Sequence, residues 1–249
     1  CFDVNEETLP AAVAGLKTCG IRGFNLTMPN KNKIVELLDE LSPEAQLIGA
    51  VNTVLNDNGK LIGYNTDGYG FMQSVRDAGH DITGKNITVM GVGGASMAIC
   101  AQSALDGAAS VHIFARRTSR YWNRTQKFAE NLSAKTGCQV CLFDNDDHTA
   151  LRDSIAQSYL LINATSVGMV PDIDDTIIKD TSLFHPELVV ADVVYEPQET
   201  RLLREAKAAG CQTFNGMYML LHQGAKAFQI WTGQEMPVSV IKEKYFSVK

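Results

Sequence analysis

The chain has 249 residues, 45% apolar and 20% charged, with a formal charge of −6. That composition is ordinary for a globular protein, the length suits one large domain or two small ones at roughly 100–200 residues each, and no apolar run approaches the ~18–20 residues of a membrane span. The acidic balance argues against a general nucleic-acid or membrane-surface binder, which needs a basic face, but leaves room for a small anionic ligand in a locally basic pocket.

In chain order, CFDV reads as the tail of a strand; its acids and lack of an apolar core are unlike a signal peptide, and an amino-terminal portion is expected to precede it. EETLPAAVAGLKTCG reads as a helix closed by Gly20. GFNLTM is a strand, and NKIVELLDEL a helix with Ile34, Leu37, Leu38 and Leu41 at helical spacing. GAVNTVLNDNGKLIGYNT gives two strands joined at Asp57, Asn58 and Gly59, after which Asp67 opens a helix. A second unit begins with KNITVMGVGGASMAICAQSAL, a strand, a glycine loop and a helix. It continues with the strand SVHIFA, a helix near 121–136, the strand CQVCLF, a helix around HTALRDSIA, the strands YLLINAT and LVVADVVY, a helix around ETRLLREAKAAG, and the strand QTFN. Such alternation means βαβ units and a parallel sheet. The final segments, MYMLLHQGAKAFQIWTG and PVSVIKEKYF, are helical and are expected to return to the first unit.

The fold class is therefore α/β with two domains and a cleft between them. An amino-terminal α/β substrate domain (1–68 plus 217–249) faces a Rossmann-like, doubly wound parallel sheet (69–216) that binds the dinucleotide. The six cysteines, at 1, 19, 100, 138, 141 and 211, read as buried, reduced thiols of a cytoplasmic protein. Cys138 and Cys141 have CxxC spacing, but residues three apart on a strand point to opposite faces, and no second pair completes a zinc set.

The glycine loop, Gly91, Gly93, Gly94, Ala95 and Ser96, departs from strict G-x-G-x-x-G, yet it follows a strand and opens a helix. Glycines there permit a tight turn and let backbone N–H groups approach a pyrophosphate, which the helix N-terminus favours. Where an NAD binder places an acid for the ribose 2′-hydroxyl, this chain has FARRTSR. Arg116, Arg117, Thr118, Ser119 and Arg120 suit a 2′-phosphate, so NADP is favoured over NAD; the bland alternative is that these arginines sit in water. Polar clusters end the strands of the first unit: Asn25 with Thr27, Asn52 with Thr53, and Asn65 to Asp67 including Thr66. Strand carboxyl ends are where open α/β sheets bind ligands, and neutral donors and acceptors suit a polyhydroxylated substrate. Lys31 and Asp67 are the oppositely charged pair among these clusters and are expected to pass a proton to or from a hydroxyl. Turn-forming asparagines and a helix-capping Asp67 are the structural alternatives.

Together GFNLTMPNK, GAVNTV, GYNTDGYGF, GVGGAS, INATSVGM, DVVYEPQET and GMYMLLHQGAKAFQIWTG, in this order and spacing, resemble the shikimate dehydrogenase family, including its quinate/shikimate branch. The resemblance covers nearly the whole chain. It implies interconversion of 3-dehydroshikimate and shikimate, or oxidation of shikimate or quinate, with NADP or NAD. It also implies that Lys31 and Asp67 are the catalytic pair, that Thr27, Asn52 and Gln223 hold substrate hydroxyls, and that Tyr195 lies near the substrate carboxylate. Asn163 to Ser166 (Thr165 included), Val193, Gly216 and Met219 are implied on the nicotinamide side. The family's amino-terminal serine pair has no counterpart in this chain. Asn30 replaces the histidine before the catalytic lysine, and Ala115-Arg116-Arg117 replaces the usual Asn-Arg-Thr, with Thr118 where the quinate branch tends to carry an Asp. Lysine is a poor base near neutrality, and a neighbouring carboxylate favours its charged form, so Lys31 is expected to act mostly as proton donor and positioner. Its place at a helix N-terminus, where the macrodipole disfavours a cation, is odd for a decorative charge, whereas Lys33 is expected to be solvated. A methylene-tetrahydrofolate-type dehydrogenase and a non-catalytic nucleotide-sensing module are the rival readings. The assembly is expected to be a monomer or homodimer, with no metal.

Overall fold

The computed structural model of the chain describes residues 1–246. The first unit runs α1 (Leu9–Thr18), β1 (Gly23–Asn25), α2 (Asn30–Lys33), β2 (Glu40–Leu41), α3 (Pro43–Ile48), β3 (Thr53–Asp57), β4 (Lys60–Tyr64) and α4 (Asp67–Asp77). The second runs β5 (Asn86–Met90), α5 (Gly94–Leu105), β6 (Ser110–Ala115), α6 (Trp122–Thr136), β7 (Gln139–Asp144), α7 (His148–Gln157), β8 (Leu160–Asn163), β9 (Val189–Asp192), α8 (Arg201–Ala208) and β10 (Gln212–Asn215). Two further helices, α9 (Met217–Thr232) and α10 (Val238–Ile241), follow.

The second sheet is wholly parallel, in the order β10-β9-β8-β5-β6-β7. Renumbered within the unit, this is the order of a dinucleotide-binding Rossmann sheet, with its switch point between β5 and β8. Its strands are near-continuous apolar runs because both faces are covered. Ile87, Val89, Val111 and Ile113 pack with α5 and α6 on one side; Met90, Phe114, Leu161 and Val190 pack with Ile155 and Leu202 on the other. The first sheet has the order β1-β3-β4-β2. There β1 and β4 flank β3 antiparallel, and β2 lies parallel to β4.

Three local expectations differ. Residues 1–5 form no strand, and the stretch 32–41 is not one helix. After α2 the chain tightens into a 3-10 turn, Ile34–Leu37, and Leu38 is already extended (φ −106°, ψ 146°). Backbone pairing overrides the helical spacing. Asp39 N–H donates to Leu61 O at 2.9 Å, and the Asp39 carboxylate accepts Leu61 N–H at 2.7 Å, so the chain is drawn into the sheet beside β4. The leucines still reach the core that Ile34 occupies. Thirdly, Cys100, Cys138 and Cys211 are buried, but Cys1 and Cys19 are exposed and Cys141 is half-buried. Burial pushes the Cys100 thiol up to about 12 and Cys138 up to about 11, so neither is a ready thiolate. Among the described residues no group of His, Cys, Asp or Glu has a metal-binding arrangement, and no helix is long and apolar enough to cross a membrane.

Helix α4 ties the architecture together. Phe71, Met72 and Val75 join the same core as Ile48 and Ala50 of the first unit and Ala98 and Ala101 of α5. On another side α4 meets α9, where a side chain on Gly70 has no room: its Cβ would lie 2.7 Å from both Gln223 N and Met219 O. The far end of α9 docks on the first sheet, with Trp231 Nε1 donating to Val54 O at 2.9 Å.

Two histidines, buried His80 and half-buried His112, give the fold an acid-sensitive component. Burial lowers the pKa of His80 and of His112, which meet Tyr159 and Ser154 respectively at 2.9 Å. As pH falls below the unfolded value of about 6.5, the unfolded chain takes up these protons first, so stability declines on acidification. Burial pushes Asp192 the opposite way, upward, which relieves a penalty at acid pH. Thermal melts of wild type and His112→Asn should therefore diverge with pH, the variant losing less stability below about pH 6.5. Parallel curves would remove His112 from the account.

Candidate active site

The site is built where β1, β3 and α4 meet. Asn65 starts it: its Oδ1 accepts Asp67 N–H at 3.2 Å, an Asx turn, and its Nδ2 donates to Ala50 O at 3.0 Å. Asp67 is thereby the first residue of α4, where the N-terminal dipole favours a carboxylate. Thr66, not Asp67, occupies the cap position. Asp67 Oδ1 accepts Asn52 Nδ2 at 2.8 Å, and Asp67 Oδ2 accepts Lys31 Nζ at 2.7 Å. The Lys31 and Asp67 side chains are 19% and 11% exposed: dry enough for a strong charge-assisted bond, open enough for a ligand to reach. Val51 N–H donates to Lys31 O at 2.8 Å, which pins the lysine backbone beside β3. Lys33 instead pairs with Glu36 at 2.7 Å on the surface.

These groups form one wall of a cleft of about 490 Å³. Asn25, Thr27, Lys31, Asn52 and Asp67 come from the first unit; Met219, Leu220 and Gln223 of α9 face it, with Ala95, Val193, Tyr195 and Gly216 completing the rim. A second cavity of about 550 Å³ lies against Gly93, Gly94, Thr165, Ser166, Met169 and Val170. Ala95, Val193 and Tyr195 line both cavities, so the two are contiguous.

The polar groups divide by task. Asn52 is 3% exposed, and its amide is fully used: Oδ1 accepts Thr66 N–H at 2.9 Å and Thr53 Oγ1 at 2.9 Å, while Nδ2 donates to Thr66 Oγ1 at 3.0 Å and to Asp67. Asn52 therefore holds Asp67 in place, and Thr66, 2% exposed, lies beneath it off the cleft wall. Thr66 is bonded to Asn52 beneath the wall and is not among the residues that line the cleft, where it was expected as a substrate contact. Asn25 Nδ2 is engaged with Thr53 Oγ1 at 3.0 Å and with Asn52 O at 3.1 Å. Gln223 Nε2 is turned back to Leu220 O at 3.1 Å.

On the dinucleotide side Gly91 has φ +110°, and a Cβ there would lie 2.8 Å from Thr165 Cγ2. The loop after β5 thus closes on the loop after β8. Gly93 and Gly94 have no such cause, since a Cβ at either meets nothing within 4 Å. They leave an exposed cradle at the start of α5, the shape a pyrophosphate needs. Gly94→Val should leave thermal stability within about 0.5 kcal/mol yet weaken NADP binding about tenfold, roughly 1.4 kcal/mol; equal affinity measured by calorimetric titration would remove the cradle from the account.

Ser96 and Asn163 are placed differently from expectation. Ser96 is wholly buried and donates to Gly91 O at 2.6 Å. Asn163 is 1% exposed; its Nδ2 donates to Asp192 Oδ1 at 3.0 Å and its Oδ1 accepts Thr165 Oγ1 at 2.6 Å. Both brace the loops and line neither cavity. Arg116, Arg117, Thr118 and Arg120 are exposed and also line neither cavity. Pairing of Met90 with Phe114 sets their loop beside the glycine loop. Arg117 lies over the Trp122 ring at 4.6 Å and Arg120 over Tyr121 at 4.8 Å, while Arg116 is exposed on the same loop. Sequence reasoning missed Leu26, Leu220, Met169 and Val170 as lining; exposed apolar residues in the GMVPD loop were the available signal.

A Rossmann sheet with a glycine cradle, adjoining a cleft that carries a Lys–Asp pair, defines a nicotinamide-dependent oxidoreductase. Residues 1–54 match the model of the shikimate dehydrogenase substrate binding domain, and residues 216–244 that of the shikimate 5′-dehydrogenase C-terminal domain. A shikimate dehydrogenase (NADP(+)) of Listeria innocua is 50% identical over 98% of this chain and 84% of its own. A quinate/shikimate dehydrogenase of Escherichia coli is 42% identical over 97% and 84%. The shikimate 5-dehydrogenase of Listeria monocytogenes, solved in complex with shikimate and NAD, superposes with a TM-score of 0.95 at 50% identity, covering 97% of this chain and 83% of that one. The chain belongs to the shikimate dehydrogenase family.

Proposed function

We propose that the chain interconverts 3-dehydroshikimate and shikimate with NADP, and with NAD less well. The observation that carries this reading is the 2.7 Å contact between Lys31 and Asp67 in a cleft that runs into the glycine cradle. The first unit holds the polyhydroxylated ring through Thr27, Asn25, Lys31 and Asp67, and α9 contributes Gln223. Tyr195, on the rim common to both cavities, lies toward the substrate carboxylate. Gly93, Gly94 and Ala95 hold the pyrophosphate, with Thr165, Ser166, Val193 and Met219 around the nicotinamide, and Arg116 meets a 2′-phosphate.

When bound, the nicotinamide takes up or gives the hydride. The protein handles the proton. In the reducing direction the Lys31 ammonium donates an N–H to the substrate carbonyl oxygen and transfers its proton as that oxygen becomes a hydroxyl; Asp67 holds the ammonium in line and stabilises its charge. In the oxidising direction the same proton leaves the hydroxyl toward Lys31. Asn52 and Asn65 keep Asp67 fixed, so little reorganisation accompanies transfer.

Among the residues lining the substrate cleft Tyr195 is the aromatic one, too little stacking surface for a folate. Quinate stays as a second substrate because relatives such as the Escherichia coli protein carry that name. Steady-state kinetics with shikimate and quinate, each with NADP and NAD, test the reading. We expect the highest kcat/KM for shikimate with NADP, and a dominant preference for NAD overturns the assignment of Arg116.

A further inference from the structure

Helix α9 carries Met219, Leu220 and Gln223 into the cleft, and α4 carries Asp67 at its first turn. Their relative rotation therefore sets how the two cleft walls face each other. At Gly70 the helices touch backbone to backbone, and such a bare contact fixes distance without fixing rotation. A directional contact exists further along. His222, the residue before Gln223, is 4% exposed, and its Nε2 lies 3.0 Å from Asp77 Oδ2 at the last residue of α4. A carboxylate oxygen only accepts, so Nε2 carries the hydrogen.

We propose that His222 is a positioning residue for substrate: held by Asp77, it locks the rotation of α9 on α4 and so keeps Gln223 on the cleft wall. Asp77 is a node for the purpose. Its Oδ1 accepts Gln73 Nε2 at 3.0 Å, which fixes the carboxylate on its own helix. Lys242 Nζ lies 3.8 Å from Asp77 Oδ2 and 3.9 Å from the centre of the Tyr218 ring, so the segment after α10 braces the first turn of α9 as well. Tyr69, Lys226 and Glu235 line the small polar cavity of about 370 Å³ on the solvent side of this node. The Asp77 side chain is 27% exposed there but the His222 side chain only 6%. A leucine fills a similar volume without a polar group to satisfy; a buried imidazole is costly unless its one strong bond is kept. The lock is thus tied to that single bond.

The inference rests on Gln223 meeting substrate, so kinetics of Gln223→Ala are measured beside it. His222→Leu should raise KM for shikimate about tenfold, with kcat within about threefold and KM for NADP unchanged, the split that marks lost substrate binding. His222→Gln, whose amide N–H reaches the same carboxylate, should restore most of the loss. Asp77→Ala should mimic His222→Leu, and the double variant should be no worse than either single, which keeps the test open if one variant folds poorly. Unchanged KM in both singles, with only a lower melting temperature, reduces the pair to a structural contact and overturns the inference. If Gln223→Ala raises KM while His222→Leu does not, the inference alone fails. If Gln223→Ala leaves KM unmoved in an active enzyme, the assignment of Gln223 fails and the inference falls with it.

Discussion

Lys31→Ala should lower kcat for shikimate oxidation by about 10²–10⁴-fold, the range for loss of a general acid–base group and roughly 3–5 kcal/mol of barrier. Cofactor affinity should not change, because Lys31 lines the substrate cavity and not the one beside the glycine loop. Among the described residues the variant leaves the Asp67 carboxylate with Asn52 Nδ2 as its remaining hydrogen-bond donor, in a site where its side chain is 11% exposed, so a modest stability loss should accompany the kinetic one. Lys33→Ala is the matched control. Lys33 meets Glu36 in water, with side chains 42% and 68% exposed, and an exposed pair of this kind contributes little to stability. Retention of most turnover in Lys31→Ala would remove the lysine from the chemistry; loss of turnover in Lys33→Ala would show that the helix start matters as a whole.

Gly216→Ala should be strongly damaging, in the same class as a methyl at Gly23 or Gly68, where a Cβ would also meet backbone within 2.5 Å. The backbone at Gly216 is ordinary helical (φ −75°, ψ 0°), so a side chain is not excluded by conformation. Space excludes it: the Cβ would sit 2.1 Å from Val193 O and 2.6 Å from Val193 C. Both are backbone atoms just beyond β9, and neither swings aside. The start of α9 must then move off β9, at a cost of about 1–3 kcal/mol or more. Val193 and Met219 move with it, and the two cavities meet at Val193. A fall of several degrees in melting temperature with raised KM for both ligands is expected; wild-type stability and kinetics would mean that α9 is held less tightly than described.

The same position shows what sequence reasoning reaches and what it misses. Resemblance put Gly216 beside the nicotinamide, and it does line the cleft, but its lack of a side chain answers to Val193, which no local pattern reveals. The parallel sheet was legible because apolar runs alternate with helical periods, and the Lys31–Asp67 pair because they are the opposite charges among the strand-end clusters. The reason offered for Lys31, a cation against a helix dipole, is weak in the fold: α2 has four residues and passes at once into a tighter turn. Its orientation comes from Val51 holding its carbonyl and Asp67 holding its amine, both long-range contacts. Ser96, Thr66 and Asn163 carry the right chemistry at the right spacing, yet each spends its polar atoms on neighbouring loops. Sequence spacing places a residue near a site, but only packing decides whether its side chain faces the ligand or the scaffold.

The assignment of the Lys31–Asp67 cleft to shikimate oxidation is tested by reduction of oxidised nicotinamide by the purified chain as shikimate is titrated in, read by the absorbance of the reduced cofactor, with cofactor binding followed in parallel. Saturable, shikimate-dependent reduction is expected, lost in Lys31→Ala while that variant still binds the cofactor. Saturable cofactor binding without reduction, whether shikimate or quinate is supplied, would contradict it.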